Sequence, residues 1–268
     1  MPCLSLPVKR LALLSLVLVS TAWGQTDIRE IVRKSIVNYE RAWKAQVNWA
    51  WTQTDTTASD DKEEVDVSEF VPLYGTPYER LIEKNGHPLT AEEQRVENHK
   101  YRKALKERER ESPSERAARI LKFENGRAFI LEVPEAYNFE LLGEETLDGR
   151  PAWVIGMKPR PGFVPTVAHA AMLEHIEGKL WIDKEDVQWA KAEAHVTETI
   201  SIGWILARIG PGARFGVEQI RVANGLWMPK TLTIAGTAHV LLVHAKRLDE
   251  RLAYSDYHEV DSASAEKR

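Results

Sequence analysis

Residues 139–158 read FELLGEETLDGRPAWVIGMK, and residues 178–194 read GKLWIDKEDVQWAKAEA. Each run alternates apolar and polar side chains on both sides of a short turn. Successive side chains of a strand point to opposite faces, so this alternation predicts a sheet with one covered and one open face. Asp148-Gly149 is a two-residue hairpin signal, since both positions of that turn need a left-handed backbone. Lys184-Glu185-Asp186 breaks the second run in the same way. Neighbouring hairpins make a meander, and a meander makes a large antiparallel sheet.

Working outward, the same punctuation predicts strands at 137–146, 151–158, 175–183, 187–200, 213–223, 226–235, 237–248 and 251–260, with Asn224-Gly225 as a further turn. Toward the N-terminus, 47–57 and 63–72 form a hairpin across Asp60 to Glu64. Before it, Ile28, Ile31, Val32, Ile36, Tyr39 and Trp43 make one stripe of a helix over 27–46, with Asp27 as N-cap. Residues 76–121 read as a helical insertion, with Asn85-Gly86 as a turn. Thr90 and Glu93 form a capping box that opens a helix from 91 to about 111. Pro113 interrupts it, and Ser114 caps a shorter helix through Leu121. The run KERERE (106–111) reads as a solvated helix face held by i,i+4 pairs; contact with an acidic lipid surface is the alternative. A long sheet leaves an apolar face wet unless helices cover it. The expected fold is therefore α+β, mainly β: a curved antiparallel sheet, an incomplete barrel, whose concave face is covered by the N-terminal helix and the helical insertion.

The start of the chain reads as a secretory signal. Lys9 and Arg10 precede the apolar run LALLSLVLV (11–19), and small residues up to Gly24 follow. A membrane-spanning helix needs about 20 apolar residues, more than this run supplies. Cleavage after Gly24 would remove the single cysteine, Cys3. A thiol-free mature chain has no disulfide, zinc-thiolate site or cysteine nucleophile. The expected layout is residues 1–24 as signal peptide, 25–260 as one domain and 261–268 as a disordered tail. The expected location is the periplasm. A net charge of −4 gives no reason to expect a nucleic-acid partner.

The hairpin GEETLDGRPAW (143–153), the strand end LWIDK (180–184) and the small-residue strand after it resemble the outer-membrane lipoprotein-sorting superfamily. This is the LolA-like fold, with LolB and the RseB/MucB-type periplasmic proteins as relatives. The likeness spans roughly 28–260 and rests on strands and turns. It implies a half-barrel with a helix-lidded hydrophobic cavity for lipid, or for the acyl chain of a lipoprotein. The RseB-type alternative implies a signalling or scaffold protein that works through protein contacts, among them an envelope membrane protein. No arginine here could be matched to the family's cavity arginine.

Candidate site residues follow from the alternation. Phe139 and Leu141, Trp153 and Ile155, and Leu180 and Ile182 each share a face of their strand. So do Ala190, Ala192 and Ala194, whose small side chains leave volume beside them. Phe139, Leu141, Trp153, Ile155, Leu180, Ile182, Ala192 and Ala194 are the expected cavity lining; the competing reading makes them ordinary core. The eight histidines show no ligand spacing, so no metal or cofactor is expected. No G-x-S-x-G elbow occurs, and Gly210-Pro211-Gly212 lacks the Lys-Ser/Thr of a phosphate loop. The expectation is a binding protein, not an enzyme.

Overall fold

The computed structural model describes residues 27–59, 62–202, 207–223, 225–240 and 244–260. The expected signal peptide and C-terminal tail lie outside the described residues.

Helix α1 (Ile28–Ala45) begins where Asp27 accepts the amides of Arg29 and Glu30. Strands β1 (Trp49–Ser59) and β2 (Lys62–Leu73) form the expected first hairpin. The next segment departs from expectation. Residues 76–88 are not helical: β3 (Thr76–Lys84) pairs with β2, and β4 (His87–Pro88) pairs with β3. Two pairs of left-handed residues, Tyr74-Gly75 and Asn85-Gly86, turn the chain back on itself at each end of β3. Helix is confined to α2 (Ala91–Glu109) and α3 (Pro113–Asn125). Thr90 and Glu93 form the expected capping box. The second cap is Ser112, not Ser114: Pro113 occupies the first helical position, where its missing N–H costs nothing.

A short α4 (Val133–Ala136) leads into β5 (Tyr137–Leu147), β6 (Arg150–Pro159), β7 (Ile176–Asp183) and β8 (Gln188–Val196). After β9 (Ile200–Ile202), β10 (Ala207–Ile209) and β11 (Arg214–Ala223), two long strands follow, β12 (Leu226–Val240) and β13 (His244–Glu259). They replace the three expected between 226 and 260. Gly236, read as a break, lies inside β12. A Cβ there would stand 2.9 Å from the Ala213 backbone, so the glycine serves close approach and not a turn.

The sheet runs β4-β3-β2-β1-β13-β12-β11-β8-β7-β6-β5 and its two ends do not pair, so the barrel is incomplete. Helix α1 packs against β5, β8 and β12, and α2 against β3. Ile31, Val32 and Ile36 of α1 pack onto Ile155, Leu180 and Ile182. Asn38 of α1 donates to the carbonyls of Asp186 and Val187 at 3.0 Å each, clamping the β7–β8 turn in which Val187 has a positive φ of 48°. Arg150 closes the same end of the sheet on the buried Asp183 carboxylate through two hydrogen bonds of 2.7 and 2.8 Å.

Candidate functional site

Ile155, Leu180 and Ile182 are at most 1% exposed, sealed under α1 with Tyr137, Phe163 and Leu173. Phe139, Trp153 and Ala192 pack at the margin of that cluster, and Ala194 packs against a second one around Ile176 and Val196. Leu141 belongs to neither cluster and is 43% exposed on β5, which is an edge strand. Ala190 does not share a face with Ala192 and Ala194. The register slips between the pairs Trp181↔Lys191 and Ile182↔Trp189, leaving Ala190 unpaired. This bulge turns it toward Ala152 and Arg150 on the opposite face.

Open volume under the helices lies elsewhere, where the end of α1 and the end of α3 meet β1, β2 and β13. A chamber of about 200 Å³ is walled by Trp43, Trp51, Phe70, Phe123, Tyr254, Tyr257 and Arg127, with Gln46, Gln53, Pro77 and Pro229. A smaller recess of about 160 Å³ shares Trp43 and Arg127 and continues to Tyr39 and Leu131. The walls are ordered by ring contacts. Trp43 stacks on Phe123 with centroids 4.7 Å apart, and Trp51 on Phe70 at 4.9 Å. The Arg127 guanidinium lies 3.7 Å from the Trp43 ring and donates to the Tyr39 hydroxyl at 2.8 Å.

Three polar features of this chamber go beyond what packing needs. The indole N–H groups of Trp43 and Trp51 are buried without a hydrogen-bond partner, as is that of Trp189, which lies against Tyr39. A buried unsatisfied donor costs roughly 1–3 kcal/mol, so two around one void are an expense that a ligand acceptor could offset. Arg127 is the one charged side chain in the lining of the larger chamber, and no ion pair to it occurs among the described residues. Of the recess acids, Glu40 is taken by Lys44 at 2.7 Å. The phenols stay neutral, because burial raises the pKa of both Tyr254 and Tyr257. Tyr257 also donates to the Pro229 carbonyl at 2.7 Å. The lining holds no nucleophile beside a base. Its chemistry is that of a holder: apolar ring faces, free N–H donors and one guanidinium.

The sequence places Trp43 on the helix stripe but does not join it to Trp51 on the first strand, and it does not point to Phe70, Phe123, Arg127, Tyr254 or Tyr257. The chamber draws on residues from 43 to 257, a convergence that alternation within single strands cannot reveal. Elsewhere, a trough of about 850 Å³ crosses β5–β8, and two of the expected cavity residues, Phe139 and Ala194, lie in its lining. Leu142 and Gly156 line it beside Lys158, Lys179, Glu140 and Glu193, so it is wide, open and of mixed charge. No group of His, Cys, Asp and Glu that could hold a metal ion occurs among the described residues. No described helix is long and apolar enough to cross a membrane.

No family model matches this chain, and no curated protein does. Solved structures do. A domain from Vibrio parahaemolyticus described as an outer membrane lipoprotein-sorting protein shares 12% identity, with 87% of this chain and 96% of that one covered, at a TM-score of 0.37. A DUF1329 family protein from Desulfovibrio piger shares 9%, covering 87% and 94%, at a TM-score of 0.34. A LolA superfamily protein from Nitrosomonas europaea shares 12%, covering 87% and 93%, at a TM-score of 0.28. These neighbours are of the kind the sequence resembles. At such scores and identities the likeness is one of chain trace alone.

Proposed function

We propose that this chain is an exported, periplasmic binding protein for a lipid or a lipidated protein, and that the aromatic chamber is where the ligand is held. The observation that carries the reading is the pair of buried, unpartnered indole donors beside an unpaired guanidinium in a void with no carboxylate on its main wall. Ring faces suit an acyl or isoprenoid segment, and the N–H donors suit the ester, amide or acid oxygens at its end. The sealed face of Ile155, Leu180 and Ile182 then acts as the seat of α1, and Phe139 and Trp153 at its margin are where a longer chain would extend if that helix lifted.

The test is binding of a fluorescent fatty-acyl probe to protein freed of co-purified lipid. Saturable binding is expected. Arg127→Gln should weaken it by about ten-fold or more, as loss of a charged hydrogen-bonding partner does. Trp51→Phe keeps the ring and removes the orphan donor, so it should weaken binding while leaving the unfolding midpoint unchanged or higher. Wild-type protein that binds no acyl probe sinks the reading.

A second reading has its own observation. The interior under the first half of α1 is closely packed, while Leu141 and Leu142 stand 43% and 48% exposed on the edge strand β5. A scaffold of the RseB type, working through protein contacts, would combine those two features. Loss of partner capture in Leu141→Ser with acyl-probe binding absent would favour it.

A further inference from the structure

Helix α2 is divided by charge where most surface helices are divided by hydrophobicity. Glu97, Tyr101, Ala104, Leu105 and Arg108 form the half-buried stripe that faces β3. Tyr101 packs on Tyr78 at 5.5 Å and under the Arg80 guanidinium at 4.8 Å. Arg108 donates to the carbonyls of Leu73 and Thr76 at 2.8 and 3.2 Å. That stripe follows the i, i+4, i+7 spacing of one helix face.

The opposite face carries Arg95, His99, Arg102, Lys103, Lys106 and Arg110, all exposed. At about 100° per residue these fall within a single arc roughly 100° wide. Glu92 is the only acid in that arc, and it sits at the first turn, where it pairs with Arg95 at 3.2 Å. Glu107 and the exposed Glu109 flank the arc on its two sides, and Glu107 reaches Lys103 at 3.9 Å. No ion pair joins Arg102, Lys106 or Arg110 to any described carboxylate. At about 1.5 Å per residue the row from Arg95 to Arg110 is roughly 22 Å long and straight.

We propose that this face of α2 docks the protein onto an anionic membrane surface. The chain as a whole is acidic, with a net charge of −4, so a predominantly cationic edge runs against its composition. That edge would orient approach to a negative bilayer while the rest of the molecule is repelled. A cluster of four to eight basic residues along one helix face has the charge pattern that anionic headgroups attract. The row offers a protein partner little to be read by: no apolar pocket, and only Val96 as an exposed large apolar side chain at its flank. The inference is independent of the aromatic chamber.

The test is flotation of the purified, exported protein with vesicles of phosphatidylcholine alone or with about one third phosphatidylglycerol, at low and high salt. The wild type should float with the anionic vesicles only, and release at high salt. The triple variant R102E/K106E/R110E should lose affinity by on the order of a hundred-fold or more, at about five-fold for each cation removed. Its unfolding midpoint and acyl-probe binding should match the wild type, since these side chains touch neither the sheet nor the chamber. The proposal is overturned if the wild type ignores anionic vesicles, if the triple variant floats as well as the wild type, or if floating survives high salt. Stripe-dependent binding to poly-glutamate without vesicle binding would also overturn it, in favour of an acidic protein partner.

Discussion

The two halves of the helix-covered face are built on opposite terms. Over β5–β8, α1 meets aliphatic side chains that are shut away completely, and Ile155 and Ile182 have no exposed surface. Over β1, β2 and β13, the same helix ends among rings that leave a void, two indole donors without acceptors and a lone guanidinium. One sheet and one helix serve both halves, so topology does not make the difference. Residue choice does: branched aliphatics interdigitate to close packing, whereas stacked flat rings leave angular gaps. Stability is concentrated in the first half, and the second gives up part of it to keep polar groups available.

The largest effect expected from this contrast is at Leu180. Leu180→Ala removes a side chain 1% exposed and enclosed on every side, so it should cost about 2–5 kcal/mol in urea unfolding. Acyl-probe binding to the folded variant should change far less. A loss below about 1 kcal/mol would mean that this half also keeps open volume, and the contrast would fail.

Much of the packed half was legible because its signals are local. Asp148-Gly149 fixed one hairpin, and the alternation of Trp153, Ile155, Leu180 and Ile182 marked the buried face. Three features were hidden by non-local or competing physics. Residues 76–84 are charged enough to read as helix, but the Tyr74-Gly75 turn before them commits the chain to pairing with β2, and Tyr-Gly is a weak hairpin signal beside Asn-Gly. Gly236 looked like punctuation because its purpose, room for Ala213, lies on another strand. Ala190 was placed by counting in twos, and the bulge beside it shifts that count by one. The chamber was the least legible part, since its walls come from seven separate elements and the segments after α1 and α3.

The contrast extends to dynamics. No residue of α2 is buried, whereas β7 and β8 lie inside the sheet, flanked by β6 and β11. Amides of 91–109 should therefore exchange with solvent markedly faster than those of 176–183 and 188–196. Equal protection would show that the ring and guanidinium contacts of Tyr101 and Arg108 hold α2 as firmly as a core does. The insertion would then be a fixed wall and not a loosely docked arm.

The smallest expected effect is a dependence of that arm on pH. Glu111, between α2 and α3, receives both Nε and Nη2 of Arg119 at 2.6 and 2.7 Å. Arg119 also reaches Thr76 Oγ1 at 2.6 Å and the Tyr74 carbonyl at 2.8 Å, so this pair ties α3 to the turn before β3. The hydrogen bond from Arg119 is the main cause that lowers the Glu111 pKa, against a smaller opposing contribution from burial. A carboxylate whose pKa is lowered on folding stabilises the folded state fully above its ordinary value of about 4.5. That contribution is lost as the pH falls below this value through the folded one. Protection over 91–125, measured against the intrinsic exchange rate at each pH, should therefore fall below about pH 4.5, while that of 176–196 responds less. Glu93 and Glu115, lowered by their cap hydrogen bonds, act in the same direction. Glu111→Gln should be less protected at neutral pH and lose less protection in acid than the wild type. If the two proteins lose protection in parallel, the charge on Glu111 does not anchor the arm, and the contacts of Arg119 with Thr76 and Tyr74 are sufficient to hold it.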